Sequence, residues 1–139
     1  MNKEILVVDD DPGYLDSFCC LARNFMLEPR GFEKPSEAIL HIQSRTLPPL
    51  ASFIDMKPFD LNRIKCQNLT REELPELEMP EQIHTLLKAR GWLRNFYFMT
   101  AHVSEYDMQV LTRTGAEYFE KDNRGLSEIF GEVAASAGS

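Results

Sequence analysis

The chain has 139 residues, 43% of them hydrophobic, with a formal net charge of −7 and a pI near 5.0. That length and apolar content supply one core of ordinary size and hardly two. The acidic balance excludes a surface built to grip nucleic-acid phosphates, which needs clustered Lys and Arg, and no apolar stretch approaches the roughly 20 residues that span a bilayer.

Residues 4–8 are short, continuous and rich in branched side chains, which predicts a buried strand. With a strand beginning this early, no signal peptide is expected. Asp11 followed by Pro12 supplies an N-cap and a first-turn proline, and Leu15, Phe18, Ala22 and Phe25 recur at helical spacing. Cys19 and Cys20 lie in this helix; with Cys66 they make three cysteines without framework spacing. Buried reduced thiols and a reducing, cytoplasmic setting are therefore expected. Residues 28–33 form a weaker strand, and Pro35 opens a second helix with Ala38, Ile39 and Ile42 on one face. Residues 50–54 follow the Pro48-Pro49 break as the third strand.

The stretch 56–79 is expected to be a long connection with one short turn of helix. Thr70 and Glu73 have capping-box spacing there, but Pro75 follows at once. Pro80 is expected to open the third long helix, with Ile83, Leu86 and Leu87 inward, His84 at the surface like His41, and Gly91 as the stop. Trp92 follows the helix stop and is expected to pack there rather than bind a ligand, and residues 95–99 form an aromatic strand whose Phe96-Tyr97-Phe98 run is core rather than a cofactor site. Ser104 and Asp107 cap a helix that runs to about Thr114. Residues 116–120 are the last strand, Leu126, Ile129, Phe130 and Val133 mark the last helix, and 134–139 is a tail. Five β-α units in succession imply one domain over 1–139, with a doubly wound parallel α/β sheet and helices on both faces.

The chemistry lies where the apolar runs end. Ile5-Leu6-Val7-Val8 ends at Asp9-Asp10, Ala51-Ser52-Phe53-Ile54 at Asp55, Phe96-Tyr97-Phe98-Met99 at Thr100, and Tyr118-Phe119-Glu120 at Lys121. In a parallel sheet these ends share one edge, the edge at which open α/β sheets bind ligands. Three carboxylates, a hydroxyl and an ammonium suit a divalent cation beside a phosphoryl group. Taken singly, each has a plainer reading: Asp11 as a helix cap, Asp55 as a turn residue, Thr100 as a branched strand end and Lys121 as a surface lysine.

Together these residues resemble the receiver domains of two-component response regulators. Ile5-Leu6-Val7-Val8-Asp9-Asp10-Asp11-Pro12 is similar to the family's first strand and acidic pair, and Phe53-Ile54-Asp55-Met56-Lys57-Pro58 to its phosphoacceptor strand. Met99-Thr100-Ala101 is similar to its fourth strand, and Gly115-Ala116 leading to Lys121 to its fifth. The resemblance covers nearly the whole chain. It implies a flavodoxin-like (βα)5 fold with strand order 2-1-3-4-5 and an insertion after strand 3. It makes Asp55 the phosphorylated residue, and it implies a Mg2+ site of Asp10, Asp55 and the Lys57 carbonyl, with Asp9 holding the ion through a water. Thr100 and Lys121 would contact phosphoryl oxygens, and Tyr118 or Phe119 would be the aromatic that reports the switch. A sensor histidine kinase or phosphotransfer protein would be the donor and a downstream protein the target, with a homodimer possible and no direct nucleic-acid or membrane contact. The chain would assist its own phosphorylation and dephosphorylation without being a turnover enzyme.

The sequence also departs from the family. The connection between Asp55 and Thr100 is longer by about a dozen residues and carries the acidic stretch 72–78, expected to serve partner docking or to be decoration. Pro58 stands one residue early, and Asp122 replaces a proline after Lys121. These departures motivate a second reading, a receiver-like interaction module that works without phosphorylation. A third, a haloacid-dehalogenase-like phosphatase, needs a second aspartate two residues after Asp55, where this chain has Lys57. His102, two residues past Thr100, either overhangs the phosphoryl site or is a solvated loop residue.

Overall fold

Each apolar run forms a strand, and the computed structural model sets five of them side by side. It describes residues 2–56, 73–121 and 125–137, the stretch 73–78 by its backbone alone. The order along the chain is β1 (Glu4–Val8), α1 (Pro12–Arg23), β2 (Glu28–Phe32), α2 (Pro35–Ser44), β3 (Ala51–Asp55), α3 (Glu73–Ala89), β4 (Phe96–Thr100), α4 (Glu105–Thr114), β5 (Glu117–Glu120) and α5 (Leu126–Ser136). Neighbouring strands all pair in parallel, in the order β2-β1-β3-β4-β5. This is the expected flavodoxin-like topology.

Because side chains alternate across a strand, the core divides into two layers. Ile5, Val7, Phe53, Met99 and Phe119 face one side and pack with Phe18 and Ala22 of α1 and Phe130 and Val133 of α5. Leu6, Val8, Ile54, Phe96 and Phe98 face the other and pack with Ala38 and Ile42 of α2, Ile83 and Leu87 of α3, and Val110 and Leu111 of α4. Phe53 anchors the first layer: its ring lies 5.1 Å from Phe18, 5.5 Å from Tyr97 and 5.6 Å from Phe130. Trp92 packs against the second layer, its ring under the Arg90 guanidinium, as its position after the helix stop suggested.

Caps fix where the helices begin and end. The Asp11 carboxylate accepts from the backbone N–H groups of Gly13 and Tyr14, and Pro12 occupies the first turn of α1. Ser104 and Asp107 form a complete capping box on α4. Gly115 ends α4 in the left-handed region at φ 67°, and an added Cβ there would meet nothing within 4 Å. Gly115→Ala is therefore expected to lower stability by about 1 kcal/mol through backbone strain alone, leaving the sheet edge unchanged. Denaturant melts of the two proteins check this, and a cost near zero would mean that the helix end can relax.

Three expectations need correction. Helix α3 begins at Glu73, so Pro80 lies inside it rather than at its start. Pro75 sits in the first turn, where backbone N–H groups have no helical partner, and so costs no bond; Thr70 lies outside the described residues. His84 is buried, because Pro80, Ile83, His84 and Leu87 form one stripe at positions i, i+3, i+4 and i+7. Its ring stands edge-on to Phe96 at 4.9 Å, and burial holds its pKa below the usual histidine value. Cys20 is exposed while Cys19 is buried, since successive helical residues do not share a face.

Candidate functional site

The parallel register delivers four strand ends to one edge. The Asp9 N–H donates to the Phe32 carbonyl at 3.0 Å, the Met56 N–H to the Met99 carbonyl at 2.9 Å and the Lys121 N–H to the Thr100 carbonyl at 2.8 Å. These bonds carry the sheet one residue past each strand. The side chains that follow are placed by the sheet rather than by mobile loops.

Alternation decides which side each group occupies. Asp9 follows Val7, Asp55 follows Phe53 and Lys121 follows Phe119, so all three fall on the α1 and α5 side. There the Lys121 ammonium lies 2.7 Å from Asp9 Oδ2 and 3.6 Å from Asp55 Oδ1. Tyr14 of α1 closes the layer, its ring centroid 4.7 Å from the same ammonium, a cation–π contact that keeps Lys121 over the carboxylates. Asp9 Oδ1 accepts the Asp11 N–H at 2.9 Å, joining the cluster to the start of α1.

The charge here is poorly balanced. Asp9 is fully buried and Asp55 nearly so, while Asp10 is exposed. Burial, then the Asp9 charge, with a smaller contribution from the hydrogen bond to Asp10, pushes the Asp55 carboxyl up to about 8 against the Lys121 attraction. Burial also raises Asp9 despite its ion pair with Lys121. Lys121 is itself raised: burial disfavours the ammonium, but Asp55 and Asp9 outweigh it. One ammonium thus serves several carboxylates, which explains why the lysine gains from the arrangement while the aspartates do not.

Such a site fits a divalent cation. One oxygen from each of Asp9, Asp10 and Asp55 can lie within 4.8 Å of the other two. Hard carboxylate oxygens are what Mg2+ takes, usually few in number with several waters retained. The Lys57 carbonyl, the fourth ligand expected, lies outside the described residues, as do Pro58 and Asp122.

Thr100 lies on the other side of the sheet. It follows Phe98 in the alternation, and its buried hydroxyl donates toward the His102 carbonyl at 2.9 Å and Asp107 Oδ2 at 3.2 Å, while accepting the His102 N–H at 3.3 Å. His102 is exposed, so its backbone rather than its ring meets Thr100. Tyr118 is 45% exposed and Phe119 is buried, so of the two aromatics only Tyr118 stands at the surface. Tyr14 and Asp107 are the site residues that sequence reasoning missed. Tyr14 carries no motif signal, and Asp107 reads from sequence only as a helix cap.

No protein-family model matches the sequence, and no curated protein matches it. Solved structures do. The chain is similar to a CheY-like response regulator receiver domain protein from Methanospirillum hungatei JF-1, with 21% identity and a TM-score of 0.71 over 99% of this chain and 98% of that one. A response regulator receiver protein from Pseudoalteromonas atlantica aligns with 14% identity and a TM-score of 0.71 over 96% and 98% of the two chains. A response regulator receiver domain protein from Clostridium thermocellum aligns with 17% identity and a TM-score of 0.67 over 97% and 96%. The class is a doubly wound α/β protein with an acidic strand edge. Within it, the fold is that of response regulator receiver domains. Among the described residues, no helix is long and apolar enough to cross a membrane.

Proposed function

We propose that this chain is a phosphoacceptor receiver, and that Asp55 accepts a phosphoryl group from a histidine kinase or phosphotransfer protein. The observation that carries the reading is the meeting of Asp9, Asp10, Asp55 and Lys121 at the carboxyl edge of a receiver-type sheet. In the transfer, an Asp55 carboxylate oxygen forms the bond to phosphorus as the bond from phosphorus to the donor's histidine nitrogen breaks. Negative charge concentrates on the phosphoryl oxygens as the nucleophile, itself an anion, approaches. Lys121 supplies a fixed positive charge for those oxygens, and Tyr14 and Asp9 hold it in place. Asp9, Asp10 and Asp55, with the Lys57 carbonyl, would hold Mg2+, which when bound neutralises phosphoryl charge and lowers the repulsion among the carboxylates. Phosphorylated Asp55 then carries added charge and acceptor oxygens beside the sheet edge, which biases the surface toward a second state and changes partner affinity. Catalysis of any other reaction forms no part of this reading.

The test is intact-mass spectrometry after incubation with acetyl phosphate and Mg2+. A single phosphoryl adduct is expected on the wild type, absent from Asp55→Asn and from a chelated control. A folded wild type that takes no adduct would overturn the proposal. One observation favours the alternative of a phosphorylation-independent module: the Thr100 hydroxyl is already committed to the start of α4.

A further inference from the structure

Thr100 and Asp107 are both fully buried, and they meet between the end of β4 and the first turn of α4. A hydroxyl has one proton to donate. Here that proton is contested by the His102 carbonyl and Asp107 Oδ2, both on the α4 side of the sheet. Asp107 Oδ2 also accepts the Ser104 N–H at 3.0 Å, and the Asp107 N–H returns a bond to Ser104 Oγ at 3.2 Å. One carboxylate oxygen therefore serves two tasks: it caps α4 and it holds Thr100. Asp55, by the alternation of β3, lies on the opposite side with Asp9 and Lys121.

We infer that Asp107 is a positioning residue, a latch that keeps the Thr100 hydroxyl on the α4 side, so that capture of a phosphoryl oxygen by Thr100 competes with the capping of α4. This inference rests on the phosphoacceptor reading and deepens it. When Thr100 turns to the phosphoryl group, Asp107 Oδ2 keeps the Ser104 N–H but gives up the Thr100 hydroxyl, and a buried hydrogen bond is lost. The capping box is then left with a carboxylate that has lost one of its partners, and the first turn of α4 loosens. The receptive state is a minor one until the latch opens, and the apparent affinity for a phosphoryl group falls by that fraction.

The probe is beryllofluoride with Mg2+, a mimic of the phosphoryl group on an aspartate, titrated into the full chain. Asp107→Ala is expected to bind it about 3- to 10-fold more tightly than wild type, the range of one buried hydrogen bond. Asp107→Asn keeps an acceptor oxygen for Thr100 and Ser104 and is expected to stay near wild type. In a Thr100→Ala background the gain from Asp107→Ala is expected to vanish. A gain that persists there, or no gain in a folded Asp107→Ala protein, would overturn the latch. Should Asp107→Ala not fold, NMR on the wild type decides: beryllofluoride must shift the Thr100 methyl and the Ser104 and Asp107 amide signals together, and a Thr100 shift alone overturns the latch. Binding by Asp107→Ala but not by wild type would support a closed latch. Absence of binding in every folded variant would overturn the receiver reading and the latch with it.

Discussion

Lys121→Met is expected to lower stability by about 3 kcal/mol in metal-free buffer at pH 8, with a smaller loss at pH 5. Methionine preserves most of the aliphatic stem, so packing beside Tyr14 changes little and the effect isolates the charge. The ammonium lies 2.7 Å from a fully buried Asp9 and 3.6 Å from Asp55. Removing it takes the ammonium away from both buried carboxylates, and breaking a buried ion pair from one side costs about 3–5 kcal/mol. At lower pH the aspartates escape by binding protons, Asp55 first because its pKa already stands at about 8. Phosphoryl transfer is expected to slow by about 100-fold, the cost of losing one preorganised charge stabiliser. Thermal melts with and without Mg2+ check the electrostatic account: the ion must stabilise the variant more than the wild type. Equal stability of the two proteins at pH 8 would show that the carboxylates do not depend on Lys121.

Much of this architecture is legible in the sequence because it depends on period and punctuation. Branched and aromatic runs ending at Asp9, Asp55, Thr100 and Lys121 place the strands, and β-α alternation makes them parallel, so their ends must share an edge. Asp11, Pro12, Ser104, Gly91 and Gly115 mark helix ends by local chemistry alone. What is not local is not legible in this way. His84 shares a helical stripe with Ile83 and Leu87, but a polar ring on that stripe is buried only because Phe96 and Phe98 lie against it. Asp107 reads as a cap, and only the docking of α4 against the end of β4 gives it a second partner in Thr100. Tyr14 touches Lys121, a contact between residues far apart in the chain that no local pattern announces. The exposure of Cys20 and the tolerance of Pro75 in a first turn belong elsewhere: ordinary helical geometry covers both, so neither needs tertiary information.

Asp55→Asn is expected to abolish the phosphoryl adduct and, in metal-free buffer at pH 8, to raise stability by about 2 kcal/mol. The loss is chemical, since an amide is not a nucleophile toward phosphorus under these conditions. The gain follows from where protons sit. Folded Asp55 keeps its proton to about pH 8, whereas the ordinary carboxyl value is 3.8. Between those limits the folded chain binds more protons at this site than the unfolded chain does. Its contribution to stability therefore falls as pH rises through that window and levels off above it. Asp9 is shifted in the same direction and adds to the slope, while Lys121, raised above its ordinary 10.5, stays charged throughout. An asparagine at 55 carries no charge at any of these pH values, and its amide N–H groups can donate to neighbouring carboxylates as the protonated aspartate does. The wild-type and variant stability curves are thus expected to run together near pH 5 and to separate toward pH 8. The linkage ceiling is higher, since stability falls by about 1.4 kcal/mol with each pH unit over which only the folded carboxyl keeps its proton, but exposed Asp10 lets water relax around the cluster and reduces it. Mg2+ acts on the same repulsion, so it is expected to stabilise the wild type more at pH 8 than at pH 5, and more than it stabilises the variant. Denaturant melts at both pH values decide the matter. Parallel curves for the two proteins would mean that Asp55 stores no electrostatic strain, and that the reading of this edge as a site kept ready for a cation and a phosphoryl group has lost its physical basis.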